Sequence, residues 1–178
     1  MHRGRGHTVA MTHASSVESR DATPADFPAV LALNEESVHF LSPMTGERLE
    51  RLHAEAALHR VLTIDGQVAA FVLAFREGAD YDSVNYRWFA ERYERFLYID
   101  RVVVATARQG RRLGALLYAD LFDFARASGA ARVTCEFDVD PPNEVSRRFH
   151  VRHGFVEVGA QSVAGGRKTV SLQAVELG

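Results

Sequence analysis

Apolar and polar positions along the chain follow two rhythms, one of period two and one of period 3.6. The points where one gives way to the other predict the elements. Residues 17–20 read as a short strand. Thr23-Pro24-Ala25-Asp26 then carries the marks of a helix start: Thr23 caps, Pro24 fits the first helical position, and Asp26 lies three residues on. Phe27, Val30, Leu31 and Leu33 continue at helical spacing until Ser42-Pro43, where the proline blocks continuation. A second helix is predicted over 45–58, with Leu49, Leu52, Ala56 and His59 on one face. Residues 60–64 and 68–75 read as strands joined at Asp65-Gly66, the strongest short hairpin signal. The unbroken apolar run 71–75 predicts a strand covered on both faces.

Residues 77–95 form a polar and aromatic insertion holding Tyr81, Tyr86, Trp88, Phe89 and Tyr93. A long strand follows over 96–104. A helix opens near Gly110 with an apolar stripe of Leu113, Leu116, Leu117, Leu121 and Phe124, and ends at Ser128-Gly129. Residues 132–138 are a further strand, broken by Pro141-Pro142. Asn143 caps a helix that runs to about residue 152 and ends at Gly154. Residues 155–158 and 169–175 close the chain as a hairpin around Gly165-Gly166. The predicted order is β-α-α-β-β-β-α-β-α-β-β. It describes an α/β domain with a mixed, mostly antiparallel sheet of about seven strands flanked by about four helices. The crossover from 96 to 138 sets two parallel strands side by side.

Composition narrows the function. A chain of 178 residues suits one domain, here residues 16–178. Residues 1–15 are rich in Gly, His, Ser and Thr, have no period and lack a signal peptide's apolar core. They read as a flexible tail, with His2, His7 and His13 part of it rather than metal ligands. A net charge of −2 leaves no footprint for a nucleic-acid partner. The longest apolar run, 68–75, is too short to span a bilayer. The one cysteine, Cys135, excludes an intrachain disulfide and reads as a small core residue. A cytoplasmic protein without metal or membrane partner is expected.

The chemistry concentrates at 101–115, where a strand meets a helix through a loop of Gly and Arg. The unpaired amides and positive dipole end of a helix's first turn favour a phosphate. Arg108, Arg111 and Arg112 add charge-assisted bonds. Read alone, the loop predicts an anion site and no more, for it lacks both a Walker lysine and a three-glycine dinucleotide fingerprint.

The run Gln109-Gly110-Arg111-Arg112-Leu113-Gly114 resembles the acetyl-CoA motif of the GNAT superfamily, Q/R-x-x-G-x-G/A. Gln109 and Gly114 match, and Arg112 stands where the family usually has glycine. An apolar strand before the loop, an amphipathic helix after it, and a later helix running from Asn143 to Gly154-Phe155 extend the resemblance over residues 16–176. Residues 98–104 with Phe149-His150 resemble a poorly characterised bacterial branch.

The resemblance implies an N-acetyltransferase that moves an acetyl group from acetyl-CoA directly to a primary amine of a small molecule or peptide. It implies that Val102, Val103 and Val104 pair through their backbone with the pantetheine arm, an amide there stabilising the oxyanion. Arg108 to Ala115 would hold the pyrophosphate, and Asn143 would contact the cofactor arm. His150 takes the place of the family's general-acid tyrosine, seven residues after Asn143. Asp100 and Glu136 are alternative general bases. Glu35, His39, Phe40, Tyr86 and Trp88 are implied at the acceptor pocket, and the aromatic insertion also suits a homodimer surface. Two other readings stay open: a non-catalytic acyl-CoA-binding or regulatory protein on the same fold, and an arginine loop for another phosphate ligand.

Overall fold

Asp65 and Gly66, with φ of 51° and 79°, supply the two left-handed positions that a tight hairpin turn requires. Around that turn the sheet grows. The computed structural model describes residues 15–178; the expected tail, apart from Ser15, and its histidines lie outside the described residues. Strand β2 (Leu58–Ile64) pairs with β3 (Gln67–Arg76) on one side and with β1 (Val17–Asp21) on the other, both antiparallel. Strand β4 (Phe96–Val104) lies antiparallel to β3, and β5 (Arg132–Asp140) lies parallel to β4. The closing hairpin, β6 (Val156–Val163) and β7 (Lys168–Glu176), completes a seven-stranded sheet of order β1-β2-β3-β4-β5-β7-β6.

Helix α4 (Leu113–Ala127) is the crossover between β4 and β5. With α5 (Glu144–Arg152) it covers one face, where Leu117, Tyr118 and Leu121 pack on Val72, Leu97, Ile99, Val133 and Cys135. The other face carries α1 (Phe27–Glu36), α2 (Gly46–Glu55) and α3 (Val84–Ala90). There Val30, Leu33 and Leu49 pack on Val61, Phe71 and Val103, while Tyr86 and Phe89 pack on Phe75, Phe96 and Tyr98. Each such large side chain contributes about 1.5–3 kcal/mol by leaving water. Residues 71–75 are wholly buried, as a strand between two helical layers must be.

Several predicted boundaries need correction. The first helix stops at Glu36, short of Ser42, because Asn34 reaches forward to the Ser42 carbonyl (3.2 Å) and folds the chain back. The second stops at Glu55, and Leu58 and His59 belong to β2, where ladder bonds to β1 and β3 outweigh another helical turn. Helix α4 opens at Leu113 rather than near Gly110, because Gly110 and Arg112 are left-handed, with φ of 82° and 59°. Its buried stripe includes Tyr118 and Ala125, and Leu116 is 46% exposed. Strand β6 runs on to Val163, past residue 158. The insertion contains a fifth helix, α3, whose cap Ser83 accepts from the Tyr86 amide (3.3 Å). Tyr86 and Phe89 are therefore core residues.

Candidate active site

Where β4 and β5 meet, they stay together for only three residue pairs, from Phe96↔Arg132 to Tyr98↔Thr134. Beyond that they part. Strand β4 continues along β3 as far as Val104↔Ala70, and β5 continues along β7. A wedge opens between two parallel strands whose facing backbone edges have lost each other. The cause is local. Leu73 pairs with Arg101 but Ala74 pairs with Ile99, so Asp100 is an extra residue in β4. Such a bulge re-aims side chains and bends its strand. Tyr98, Asp100 and Arg101 thereby share the sheet face of α1, α2 and α3. There the Arg101 Nε donates to Asp100 Oδ2 at 2.6 Å, a contact that neighbours in a regular strand are not placed to make.

The wedge is the floor of a cleft of about 1540 Å³. At one end the α4 loop closes it. Arg112 caps α4 in a left-handed conformation that costs most residues on the order of 1 kcal/mol, and it keeps the amides of the first turn open to the cleft. Gln109, Gly110, Arg112, Leu113, Gly114 and Ala115 all line this end. Glu36 anchors the loop from α1 by accepting from the Thr106 amide at 3.0 Å. Arg108 and Arg111 do not line the cleft. Val102, Val103 and Val104 form its β4 wall, and Asn143 stands at the start of α5, where its Oδ1 caps the helix by accepting from the Ser146 amide (3.2 Å). The residues present fit a phosphate-bearing cofactor with an extended arm: open amides and a guanidinium at one end, an unpaired strand edge along the middle.

His150, Asp100 and Glu136 all line the cleft, in different environments. His150 is buried beneath the α4–α5 side. Its Nδ1 lies 2.8 Å from the Ser146 carbonyl, which only accepts, so Nδ1 carries the proton and Nε2 accepts from the Tyr118 hydroxyl at 2.7 Å. Burial, and next the neighbouring His153, lower its pKa to about 4 against the helping bond to Ser146. The imidazole is neutral near pH 7. Both of its nitrogens are occupied, and burial likewise keeps Tyr118 protonated by pushing its pKa well up.

Asp100 has both carboxylate oxygens engaged, one by the Tyr81 hydroxyl and one by Arg101. Arg101 in turn donates to Asn34 Oδ1 at 2.7 Å. Tyr81, raised by burial and then by the Asp100 charge, stays a phenol. Glu136 differs. Its Oε1 accepts from the Tyr98 hydroxyl at 2.9 Å, but Oε2, itself buried although the residue is partly exposed, has no partner. Asn85 is near enough to favour the charged form without an ordinary hydrogen bond to Oε2. Burial, and next the Asp100 charge, push the Glu136 pKa up to about 8.

The acceptor end is walled by residues 37–43, with His39 and a half-exposed Phe40, and by Arg48, Tyr81, Asp82 and Asn85. Glu35, Tyr86 and Trp88 are not among the lining residues. Tyr86 is buried, donating to the Arg76 carbonyl (2.8 Å), and Trp88 packs on Gly159 beneath Arg92. The pattern reading missed Arg48, Arg101 and Tyr118, while Tyr81, which it placed in the aromatic insertion, does line the cleft. Arg101 alone carried a signal: an arginine inside an apolar strand must be paired when buried. Among the described residues no group of three or more His, Cys, Asp or Glu is placed to hold a metal, and no helix is long and apolar enough to cross a membrane.

Solved structures share this architecture. An Ard1 structure from Thermoplasma volcanium matches with a TM-score of 0.73 at 16% identity, over 90% of this chain and 97% of its own. A Salmonella typhimurium protein solved with its cofactor acetyl-CoA matches with a TM-score of 0.68 at 21% identity, over 91% and 94%. In sequence, a phosphinothricin N-acetyltransferase from Streptomyces coelicolor is 42% identical over 64 residues, spanning 36% of each chain. The family model described as the acetyltransferase (GNAT) family matches residues 26–155, which hold the bulged strand, the loop and α5. This chain belongs to the GNAT acetyltransferase family.

Proposed function

We propose that the protein moves an acetyl group from acetyl-CoA directly to a primary amine of a small molecule or peptide, with Glu136 as the general base. The observation that carries this reading is the parted β4–β5 wedge with an unpartnered, pKa-raised carboxyl inside it. In this reading acetyl-CoA supplies the activated acyl group. Its arm lies along the free edge of Val102 to Val104, and its phosphates meet the α4 amides and Arg112. A backbone amide of that edge faces the thioester carbonyl and stabilises the oxyanion.

The acceptor arrives from the face of α1, α2 and α3 as an ammonium and must lose a proton to attack. Glu136, near pKa 8, is matched to take it close to neutral pH. Asp100 is occupied by Tyr81 and Arg101, and we assign it the positioning of those two walls. His150, neutral and doubly bonded, holds Tyr118 in place under the cofactor arm. A thiol with a pKa near roughly 8.5 leaves without prior protonation, so the thiolate takes its proton from water.

Cys135 is a buried free thiol, which suits a reducing compartment, and we take the cytoplasm as the place of action. The test is calorimetric titration with acetyl-CoA, CoA and ATP, followed by CoA release with a panel of amines that begins with phosphinothricin, the substrate in the relative's name. Acetyl-CoA binding that ATP does not match, and amine-dependent CoA release lost in Glu136→Gln, support the reading. Equal binding of ATP, or binding without release across the panel, overturns it.

A further inference from the structure

Lys168 is the single lysine of the chain; every other basic side chain apart from histidine is arginine. It opens β7, pairs with Val163 across the hairpin, and lines the same cleft as Glu136. Its Nζ donates to Asp138 Oδ2 at 2.9 Å. Asp138 lies two residues beyond Glu136 on β5, in the stretch that has left β4. Residues two apart in a strand share a face and are separated by roughly 7 Å. The lysine nitrogen is thus tethered beside the carboxyl that we assign as general base, on a flexible four-carbon stem.

We propose that Lys168 is an internal acyl acceptor: the protein acetylates itself there when acetyl-CoA is bound and no amine occupies the cleft. This rests on the acetyl-CoA reading above. The Lys168 ammonium gives a proton to Glu136 or water. Its free amine attacks the thioester carbonyl carbon, the C–N bond forms, and the C–S bond breaks. The nitrogen then sheds its second proton, which the departing CoA thiolate takes up directly or through water, so the products are acetyl-lysine and CoA. The ion pair with Asp138 must break before the amine can attack. It therefore slows the internal transfer, which external acceptors outrun. Once acetylated, Lys168 has no charge to offer Asp138, whose side chain is only 11% exposed. A neutral amide and an unpaired carboxylate then stand on the acceptor side, which makes the modification inhibitory.

The test uses the full chain with acetyl-CoA and no amine, followed by intact mass and peptide mapping. Lys168→Arg, which keeps a cation beside Asp138, and the wild-type chain unfolded in urea run in parallel, with acetyl-CoA binding measured on each folded sample. The expected result is one acetyl group on Lys168 of the folded chain, at a rate that saturates in acetyl-CoA. That rate should exceed the urea-unfolded rate by about tenfold or more, and Lys168→Arg should gain no acetyl group beyond the α-amine. Binding of acetyl-CoA with Lys168 acetylated no faster than in the unfolded chain, or with label on the α-amine alone, overturns this proposal and leaves the proposed function standing. Absence of acetyl-CoA binding overturns both.

Discussion

Replacing Glu136 by glutamine should stabilise the protein and disable it at once. Glutamine keeps the shape and can still accept from Tyr98, but it never ionises. In the folded chain the carboxyl titrates at about 8 against an ordinary value of 4.5. The sign follows from proton linkage. Below pH 4.5 both folded and unfolded chains hold the proton and Glu136 is neutral to stability. Between 4.5 and about 8 the unfolded chain releases its proton while the folded one keeps it, so stability is lost as pH rises through that window. Above it the loss is complete. A difference of roughly three and a half pKa units sets a ceiling on the order of 5 kcal/mol, and a denatured state that retains structure lowers it. Even about 2 kcal/mol should raise Tm by several degrees in a chain of this size. Thermal unfolding of wild type and Glu136→Gln should nearly coincide at pH 4.5 and diverge steadily to pH 9, the variant being the more stable. The pH profile of kcat/KM for the wild type should climb towards a plateau through about 8. The variant should lose roughly 10²–10⁴-fold, the usual contribution of a general base, and with it that limb of the profile. Parallel unfolding curves across the range, or a variant with the wild-type rate and profile, would refute the reasoning.

Three other outcomes follow from packing and charge. Arg101→Met leaves Asp100 buried with only Tyr81 as partner and frees the Asn34 oxygen, a loss of roughly 3–5 kcal/mol in chemical denaturation; an unchanged midpoint would mean the ion pair contributes nothing. Gly159→Ala sets a methyl 2.6 Å from Trp88, whose ring is held under Arg92, and should cost about 1–3 kcal/mol, part of which Trp88→Leu recovers in the double variant. On the acid side, burial holds His150 and His59 neutral, each at about 4 against 6.5. Stability should fall as pH drops from 6.5 towards 4 because the unfolded chain takes up protons first. His59→Gln, which also removes an unpartnered buried Nε2, should flatten that slope in thermal unfolding, and an equally steep slope would refute the assignment.

The elements that sequence announced are those set by local rules. A turn that needs two left-handed residues is legible as Asp65-Gly66, a capped helix as Asn143 onwards, and the open α4 terminus as a loop of Gly and Arg. Boundaries failed where distant partners decide them. Leu58 and His59 sit in a helical pattern until β1 and β3 offer ladder bonds. Helix α3 was hidden because the aromatic residues of 77–95 looked like one cluster. The capping serine at 83, followed by Tyr86 and Phe89 at helical spacing, was the sign in plain view.

The site was legible in its membership more than in its roles. Asp100 and Glu136 are both acidic residues in apolar strands, and nothing in their immediate neighbours separates a base from a structural anion. The separation comes from the bulge. With an extra residue at Asp100, Arg101 turns to the same face and engages one oxygen while Tyr81, from the loop before α3, engages the other. The same bulge coincides with the end of β4–β5 pairing, so Glu136 on β5 loses a neighbouring strand and faces an opening. Its Tyr98 partner satisfies one oxygen only. One backbone irregularity thus does two things: it neutralises the first carboxylate as a base and leaves the second desolvated beside the first one's charge. Two carboxyls of like chemistry are given different partners by geometry, one fully engaged and one left with a free oxygen, and that division of labour suits an acid–base site. Deleting Asp100 should therefore undo both effects together: Ile99 and Arg101 become regular neighbours, Arg101 keeps its face but loses its carboxylate partner, and the charge that helps hold Glu136 high is gone.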